Sequence, residues 1–201
     1  MPRVAETRLP AIPSTAGQKE RYQRILRAAA EHGAANGLER IQMLDIAKDA
    51  GVAIATLYRY FPSKTVLFTA LLHSQVDRLD QMVSMRTNGR EPQEAIADVL
   101  VQAGRRLLSR PLLAHAMLTS NNAAVAGDVP SMAVTGVFAD LILKVGHIER
   151  PSPHDMRLVR LIEQTWYGVL ISELNGHISA VEADADTRLA CRLLLTDLGR
   201  S

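Results

Sequence analysis

Hydroxyl, guanidinium and ammonium groups are concentrated in one short stretch of this 201-residue chain, which reads IATLYRYFPSK from residue 54 to residue 64. The groups belong to Thr56, Tyr58, Arg59, Tyr60 and Lys64. Hydroxyl and cationic side chains bind phosphate oxygens and the edges of nucleic-acid bases. The stretch therefore predicts a nucleic-acid contact, provided that the backbone presents these side chains on one surface.

Two short helices joined by a tight turn are predicted to present them. Ile46 and Ala50 belong to an apolar face at helical spacing, and Gly51 then gives the backbone freedom for a tight break. A second helix of about two turns covers residues 54–60 and ends before Pro62. Two helices connected in this way form a helix-turn-helix, whose second helix enters the major groove of DNA.

The second helix is expected to have one buried and one exposed face. Its apolar residues Leu57 and Phe61 are predicted to lie in the core. The side chains that are predicted to be exposed are those of Thr56, Tyr58, Arg59 and Tyr60.

The distribution of charge agrees with this location. The formal net charge is only +2, but residues 1–64 hold ten Lys or Arg and six Asp or Glu, whereas residues 65–201 hold thirteen and fifteen. The basic excess accompanies the helix-turn-helix, as phosphate binding requires. An excess of four charges is also compatible with chance, so it supports the motif without replacing it.

The composition indicates an all-α protein in a reducing compartment. The chain is 47% apolar and 4% aromatic, it is rich in Ala and Leu, and it has few runs of β-branched residues. Its single cysteine allows no intrachain disulfide. No apolar run is long enough for a signal peptide or a membrane span, and the histidines show no metal-ligand spacing. We expect a cytoplasmic protein without cofactor, metal or membrane partner.

Periodicity and turn residues divide the chain into about nine helices. A flexible arm is predicted for residues 1–17, a DNA-binding domain for 18–64 and a larger helical domain for 65–201. Outside the helix-turn-helix, helices are predicted at 18–36, 63–87, 92–110, 111–121, 131–147, 153–175 and 179–198, with a loop at 122–130.

The run GVAIATLYRYFPSK, residues 51–64, closely resembles the signature of the TetR family of bacterial transcriptional repressors. That signature combines an aromatic-rich recognition helix, a Phe, and a capped helix that opens with Lys. LYRYFPSK together with SRPLLAHAM, residues 109–117, also resembles the KstR-type repressors of actinobacteria. The resemblance implies a repressor of sterol catabolism that responds to CoA thioesters of steroid intermediates.

The same resemblance assigns roles in DNA binding. Tyr58 and Tyr60 would contact phosphate or a thymine methyl group, and Thr56 would contact phosphate. Lys64 would neutralise a phosphate beside a positively polarised helix N-terminus. Ile54 and Ala55 would face the bases, where apolar contact with thymine methyls is the chemistry open to them.

One departure from the family's pattern leaves the base readers open. Many relatives place an Arg near the start of the first motif helix, where this chain has Leu44 with Gln42 nearby.

The resemblance also implies a two-fold dimer on a palindromic operator and a cavity for a hydrophobic effector. Helices at 153–175 and 179–198 are the candidates for the dimer interface, because their apolar positions exceed one narrow stripe. The expected interface residues are Leu161, Thr165, Val169, Leu189 and Leu193. The expected cavity-lining residues are Leu72, Val76, Leu107, Met117, Leu118, Asn121, Phe138, Leu141, Ile142 and Trp166. Arg105, Arg106 and Arg110 are candidates to bind the phosphates of a CoA group.

Two other functions remain open from the sequence, and a third is not expected. Within the same class, the effector is alternatively a drug or a fatty acyl-CoA. An architectural DNA-binding protein would ignore small molecules, and a ligand-sized cavity would argue against it. An enzyme is not expected, because no phosphate loop, nucleophile elbow or paired-carboxylate pattern is visible.

Overall fold

A computed structural model describes residues 10–83, 91–126 and 135–199, and all the regular secondary structure in these ranges is helical. The predicted all-α fold is confirmed. The nine helices are α1 (Ala16–Arg40), α2 (Met43–Asp49), α3 (Ile54–Tyr60), α4 (Lys64–Val83), α5 (Pro92–Leu108), α6 (Pro111–Ala126), α7 (Thr135–Val145), α8 (Pro153–Leu174) and α9 (Ala180–Leu194). Within those ranges, no helix combines the length and the apolar character needed to cross a membrane.

Helix ends differ from the predicted ones where local hydrogen bonds decide them. Helix α1 begins before Gln18 because Thr15 and Gln18 form a reciprocal capping box. It also continues past Gly37, which adopts φ 68° and interrupts the helical conformation, and ends at Arg40. Helix α9 ends at Leu194, earlier than predicted.

The predicted loop at 122–130 is wrong over its first part, because α6 continues to Ala126. Four of the five added residues, 122–126, are alanine or valine, and the three alanines extend the helix at little cost. The rest of that loop and the predicted start of α7 fall on residues 127–134, which lie outside the described residues. The predicted end of α4 falls on residues 84–90, which also lie outside them. So do residues 1–9 of the predicted arm.

Helix α1 connects the two ends of the molecule. It packs against α2 on one side and against α4 and α6 on another. A Cβ atom added at Gly33 would lie 2.7 Å from Leu113 Cδ1 and 2.8 Å from Phe68 Cε1, so only glycine allows the three helices to approach this closely. One continuous hydrophobic core therefore runs from α1–α3 into α4–α9.

Reciprocal caps define the starts of α8 and α9. Ser152 and Asp155 form the first capping box, and Ser179 and Glu182 form the second. The buried Asp155 carboxylate also accepts a hydrogen bond from the Gly199 backbone N–H at 2.8 Å. These bonds, with that of Gly199 the strongest cause, lower the pKa of Asp155. The hydrogen bond between Gly199 and Asp155 therefore holds the end of the described chain against the start of α8.

Candidate DNA interface and effector cavity

Helix α3 has the two faces that the sequence predicted. Leu57 is fully buried on the inner face, and Tyr58 is 47% exposed on the outer one, next to the exposed Arg59. Ala55 is also exposed and Ile54 is half-buried. Thr56, which the sequence predicted to be exposed, is half-buried as well. The exposed surface of α3 thus offers a phenol and a guanidinium.

Tyr60 is not exposed, and that expectation is wrong. Its side chain is 2% exposed and its ring meets Tyr22 of α1 edge to face, with 5.8 Å between the ring centroids. The Arg59 guanidinium lies 5.0 Å from the centre of the Tyr60 ring and donates a hydrogen bond of 3.2 Å to its hydroxyl. Tyr60 is therefore buried by aromatic packing against α1 and Phe61, although the sequence pattern predicted that it would be exposed.

Side chains of α2 and of the start of α4 accompany this helix. Leu44 is 61% exposed in the first turn of α2, and Gln42 is exposed at its N-cap position. Lys64 is half-buried, and its Nζ donates to the Glu39 carbonyl oxygen at 3.5 Å. The residues before α1 pass the end of α3, where Ala11 N–H donates to the Arg59 carbonyl oxygen at 3.0 Å.

A cavity of about 500 Å³ lies between α1, α4, α5, α6, α7 and α8. This volume is within the range of about 300–1,000 Å³ that is usual for small-molecule sites. Eight of the ten predicted lining residues do line it, namely Leu72, Val76, Leu107, Met117, Leu118, Asn121, Phe138 and Trp166. The rings of Phe138 and Trp166 stack with 5.3 Å between their centroids.

The other two predicted lining residues are in the core and not at the cavity. Leu141 and Ile142 are buried one turn further along α7 than Phe138, beyond the cavity wall. They fill the space between helices, and the prediction that they line the cavity is corrected.

Sequence reasoning missed the contribution of α1, because it assigned that helix to the DNA-binding domain alone. Leu26, Arg27, Ala30 and Glu31 of α1 all line the cavity. The small residues Ala30 and Gly33 were the available signal, since they permit close packing against α4 and α6. Helix α8 contributes Glu163, Tyr167 and Leu170, which the sequence also did not single out.

Four arginines line the cavity, and one of them is tied to α1. Arg110 donates two hydrogen bonds to the Glu31 carboxylate, at 2.8 and 3.1 Å, and this interaction lowers the pKa of Glu31. Arg106 lines the cavity as predicted, but Arg105 instead forms an ion pair with Asp184 on α9. The remaining arginines of the cavity are Arg27 and Arg78.

One carboxyl group of the cavity has no such partner among the described residues. Glu163 is half-buried on α8, one turn before Trp166 and Tyr167. Burial raises the pKa of Glu163 to about 7, because an ionised carboxylate loses hydration there.

The outer surface of α8 and α9 carries the predicted dimer residues. Leu161 of α8 is 42% exposed, and Leu189 and Leu193 of α9 are 45% and 68% exposed, so both helices present large apolar side chains to the outside. Thr165 is exposed, but its hydroxyl donates internally to the Leu161 carbonyl oxygen at 2.8 Å, and Val169 is half-buried. The predicted interface residues therefore expose apolar side chains, and the Thr165 hydroxyl among them is already satisfied.

A helix-turn-helix joined to a helical domain with a ligand-sized cavity is typical of a ligand-responsive DNA-binding regulator. Residues 25–71 match the model of the bacterial regulatory proteins of the tetR family, and residues 89–194 match the tetracyclin repressor-like C-terminal domain. The chain belongs to the TetR family of bacterial transcriptional regulators.

Named relatives cover almost the whole chain. The HTH-type transcriptional repressor KstR of Rhodococcus jostii (strain RHA1) is 32% identical over 188 residues, which are 93% of this chain and 88% of the relative. KstR of Mycolicibacterium smegmatis is 30% identical over 182 residues, 89% of this chain and 88% of the relative. These relatives are regulators and not enzymes, as the sequence predicted.

Solved structures share the fold. A TetR transcriptional regulator from Rhodococcus sp. RHA1 is 43% identical with a TM-score of 0.83, covering 91% of this chain and all of that one. Thermus thermophilus FadR, solved with lauroyl-CoA, has a TM-score of 0.62 at 20% identity, covering 87% of this chain and 93% of that one. The latter similarity concerns the fold alone.

Proposed function

We propose that this protein is a dimeric transcriptional repressor that leaves a palindromic operator when a CoA thioester of a steroid intermediate binds in its cavity. The observation that carries the proposal is the joint presence of a DNA-reading helix and a 500 Å³ cavity on the two sides of α1. The KstR relatives are repressors by name, and the FadR structure holds an acyl-CoA.

The DNA contact rests on the exposed groups of three helices. Tyr58 and Arg59 of α3 bind phosphate oxygens, and Lys64 adds a cation at the start of α4. Ala55, with the half-buried Ile54 and Thr56, lies at the bases. Leu44 and Gln42 approach from α2, where an apolar side chain contacts a thymine methyl and an amide pairs with adenine.

A dimer is needed because one α3 of seven residues reaches few bases. The exposed leucines Leu161, Leu189 and Leu193 supply an apolar interface, and Thr165 and Val169 complete it. Burying this surface against its two-fold copy brings two α3 helices to successive major grooves.

The cavity suits an effector with a hydrocarbon body and anionic groups. Its apolar wall takes the body, since Leu72, Val76 and Met117 offer no hydrogen bond. Arg78, Arg106 and Arg110 provide guanidinium groups for the phosphates of CoA. Arg110 must leave Glu31 to bind a phosphate, so occupation of the cavity disturbs a contact between α1 and the start of α6.

Helix α1 carries that disturbance to the DNA. Its residue His32 is hydrogen bonded to Asp49 of α2, with 2.7 Å between Nε2 and Oδ2. A ligand releases DNA only if it binds better to a dimer whose α3 helices have the wrong separation. Movement of α1 and α4 around the filled cavity produces such a separation.

Fluorescence anisotropy tests the proposal at physiological salt. The protein is titrated against duplexes from upstream of its own gene and against a shuffled duplex, and a steroid CoA thioester is then added. Sequence-dependent binding that the thioester abolishes is expected. Binding that survives the thioester discards the effector, and equal binding to both duplexes favours an architectural protein.

A further inference from the structure

The last turn of α3 places a buried tyrosine directly beside an exposed arginine. The Tyr60 side chain is 2% exposed, whereas Arg59 is exposed on the outer face of the same helix. The Arg59 guanidinium lies over the Tyr60 ring, 5.0 Å from its centre, and its Nη2 donates a hydrogen bond of 3.2 Å to the Tyr60 hydroxyl. The ring is therefore inside the fold, while its hydroxyl remains within reach of a side chain on the surface.

The Tyr60 ring is held in place from the core side. It meets Tyr22 of α1 edge to face at 5.8 Å and lies 6.3 Å from the Phe61 ring, measured between centroids. The rings of Tyr22 and Phe61 are in turn 4.7 Å apart. Three rings that contact one another in a close-packed core have few alternative rotamers. The Tyr60 hydroxyl therefore has a fixed position relative to α3.

The backbone of Arg59 is held as well. Carbonyl groups in the last turn of a helix lack partners within that helix. The Arg59 carbonyl oxygen is one of them, and it accepts a hydrogen bond of 3.0 Å from the Ala11 N–H in the segment before α1. Both the main chain and the side chain of Arg59 are thus bonded in the protein without DNA.

We propose that Tyr60 is a positioning residue for DNA binding, and that its hydroxyl holds the Arg59 guanidinium in the orientation in which it contacts an operator phosphate. The inference rests on the proposed function, which assigns Arg59 to phosphate, and adds the residue that prepares this contact. It replaces the direct contact that the family resemblance implied for Tyr60, because a side chain that is 2% exposed has almost no surface to offer to DNA.

Holding the guanidinium in advance matters because arginine is long and flexible. A free arginine at the surface samples many rotamers and loses that freedom when it binds phosphate, which weakens binding. Over the Tyr60 ring, Arg59 has lost part of this freedom before DNA arrives. The guanidinium has several N–H donors, so those that do not bond to the Tyr60 hydroxyl are the ones that bind phosphate oxygens.

A double-mutant cycle on the full-length protein tests this role. Tyr60→Phe removes the hydroxyl and keeps the ring that packs against Tyr22, so chemical denaturation should show an unchanged free energy of unfolding. Arg59→Ala removes the guanidinium. Fluorescence anisotropy measures the affinities of the unchanged protein, the two single variants and the double variant. The duplexes are one from upstream of the protein's own gene and a shuffled control, each over a series of salt concentrations.

The cycle distinguishes positioning from a general structural role. Tyr60→Phe should lower operator affinity by about tenfold, because one arginine in each half of the dimer must then be ordered on binding. Both duplexes should lose affinity in the same proportion, since a phosphate contact carries no sequence information. In the Arg59→Ala background, Tyr60→Phe should have no further effect. A tyrosine that only stabilised α3 would lower affinity by the same factor in both backgrounds.

The dependence of affinity on salt separates the two residues. Arg59→Ala removes one phosphate-neutralising cation from each half of the dimer, and should reduce the slope of log affinity against log salt by about two. Tyr60→Phe keeps that cation and should leave the slope unchanged. Tyr58→Phe is the matched control, because it removes a hydroxyl from an exposed ring of the same helix. The loss that it causes should be the same with and without the Arg59 guanidinium.

The results that contradict this inference differ from those that contradict the proposed function. An unchanged or increased affinity of Tyr60→Phe, or an equal loss in both Arg59 backgrounds, overturns the positioning role and leaves the repressor intact. If Arg59→Ala leaves the salt slope unchanged, Arg59 does not contact phosphate, and the role of Tyr60 falls with it. Equal affinity of the unchanged protein for the two duplexes contradicts the operator-specific repressor instead, while the cycle still decides the role of Tyr60.

Discussion

The DNA-binding end and the effector cavity are built on opposite principles. In α2 and α3 the inner side chains pack tightly, with Leu57 and Ile46 fully buried, and function lies in what remains outside. In the cavity the inner side chains stop short of filling the space, and the proposed effector site is the remaining gap of about 500 Å³.

This difference shows how one hydrophobic core supports both a rigid helix and an open cavity. A reading helix must keep its orientation, and close packing provides that rigidity. A cavity must leave room for another molecule. Phe138 and Trp166 therefore lack van der Waals contacts on the side that borders the empty space, which lowers the packing free energy of the fold. Helix α1 belongs to both ends, because Tyr22 packs against Tyr60 of α3 while Leu26 and Ala30 line the cavity.

The largest expected effect comes from truncating a phenylalanine at each end. Phe61→Ala should cost about 3–5 kcal/mol of unfolding free energy, because its ring packs against Tyr22 and Tyr60 and leaves a void. Phe138→Ala should cost less than about 3 kcal/mol, since one side of its ring already borders the cavity. Chemical denaturation of both variants measures the two costs. Equal losses would contradict the contrast between a filled core and an open one.

The sequence predicted the DNA-binding end well because its signals are local. Gly51, Pro62 and Ser63 lie within fifteen residues of one another, and each acts on the backbone beside it. Tyr60 is the exception, because its burial is not determined by local sequence. Its burial depends on contact with Tyr22, nearly forty residues earlier, and the helical periodicity around Tyr60 gives no information about that partner.

The cavity was predictable only in outline, since it depends on how distant helices stack. Apolar positions on α4, α6 and α7 identified Val76, Met117 and Phe138, which do line it. Leu141 is an apolar residue of α7 like Phe138, but it is buried in the core and does not line the cavity. Glu163 is a charged residue in a helix with several others, so nothing short of the folded arrangement distinguishes it.

Disrupting the α8–α9 surface tests whether the DNA-binding end acts in pairs. The double substitution Leu189→Glu and Leu193→Glu places like charges across the proposed two-fold interface, and should give a folded monomer. Operator affinity should fall at least about a hundredfold, because the second binding event is no longer intramolecular. Sedimentation velocity and anisotropy measure the two effects. Val181→Glu, an exposed residue in the first turn of α9, serves as the charge control. A dimer that persists would place the interface elsewhere.

A smaller effect is expected from removing a single contact at the reading helix. Tyr58→Phe removes one hydroxyl from an exposed ring and should leave the free energy of unfolding unchanged. Losing about 1 kcal/mol in each half of a dimer lowers operator affinity by about tenfold or more. The shuffled duplex should lose affinity in the same proportion if the lost contact is to phosphate. A loss confined to the operator would assign Tyr58 to a base instead.

The smallest effect concerns the stability cost of keeping a carboxyl group in the cavity. The pKa of Glu163 rises from 4.5 to about 7 on folding, so the unfolded chain loses this proton first as pH rises. Glu163 therefore lowers stability progressively between pH 4.5 and 7, and the full cost persists above that range. Glu163→Gln should unfold at the same temperature as the unchanged protein near pH 4 and at a higher one at pH 8.

The expected gain at pH 8 is about 1–2 kcal/mol, reduced from the full conversion of the pKa change because the side chain is partly exposed. Glu149→Gln, at an exposed position, controls for the loss of a negative charge as such. Thermal unfolding of the three proteins at both pH values makes the measurement. If the two variants gain equally, solvent reaches Glu163 freely, and the cavity would then resemble the exposed outer face of α3 more than a dry binding site.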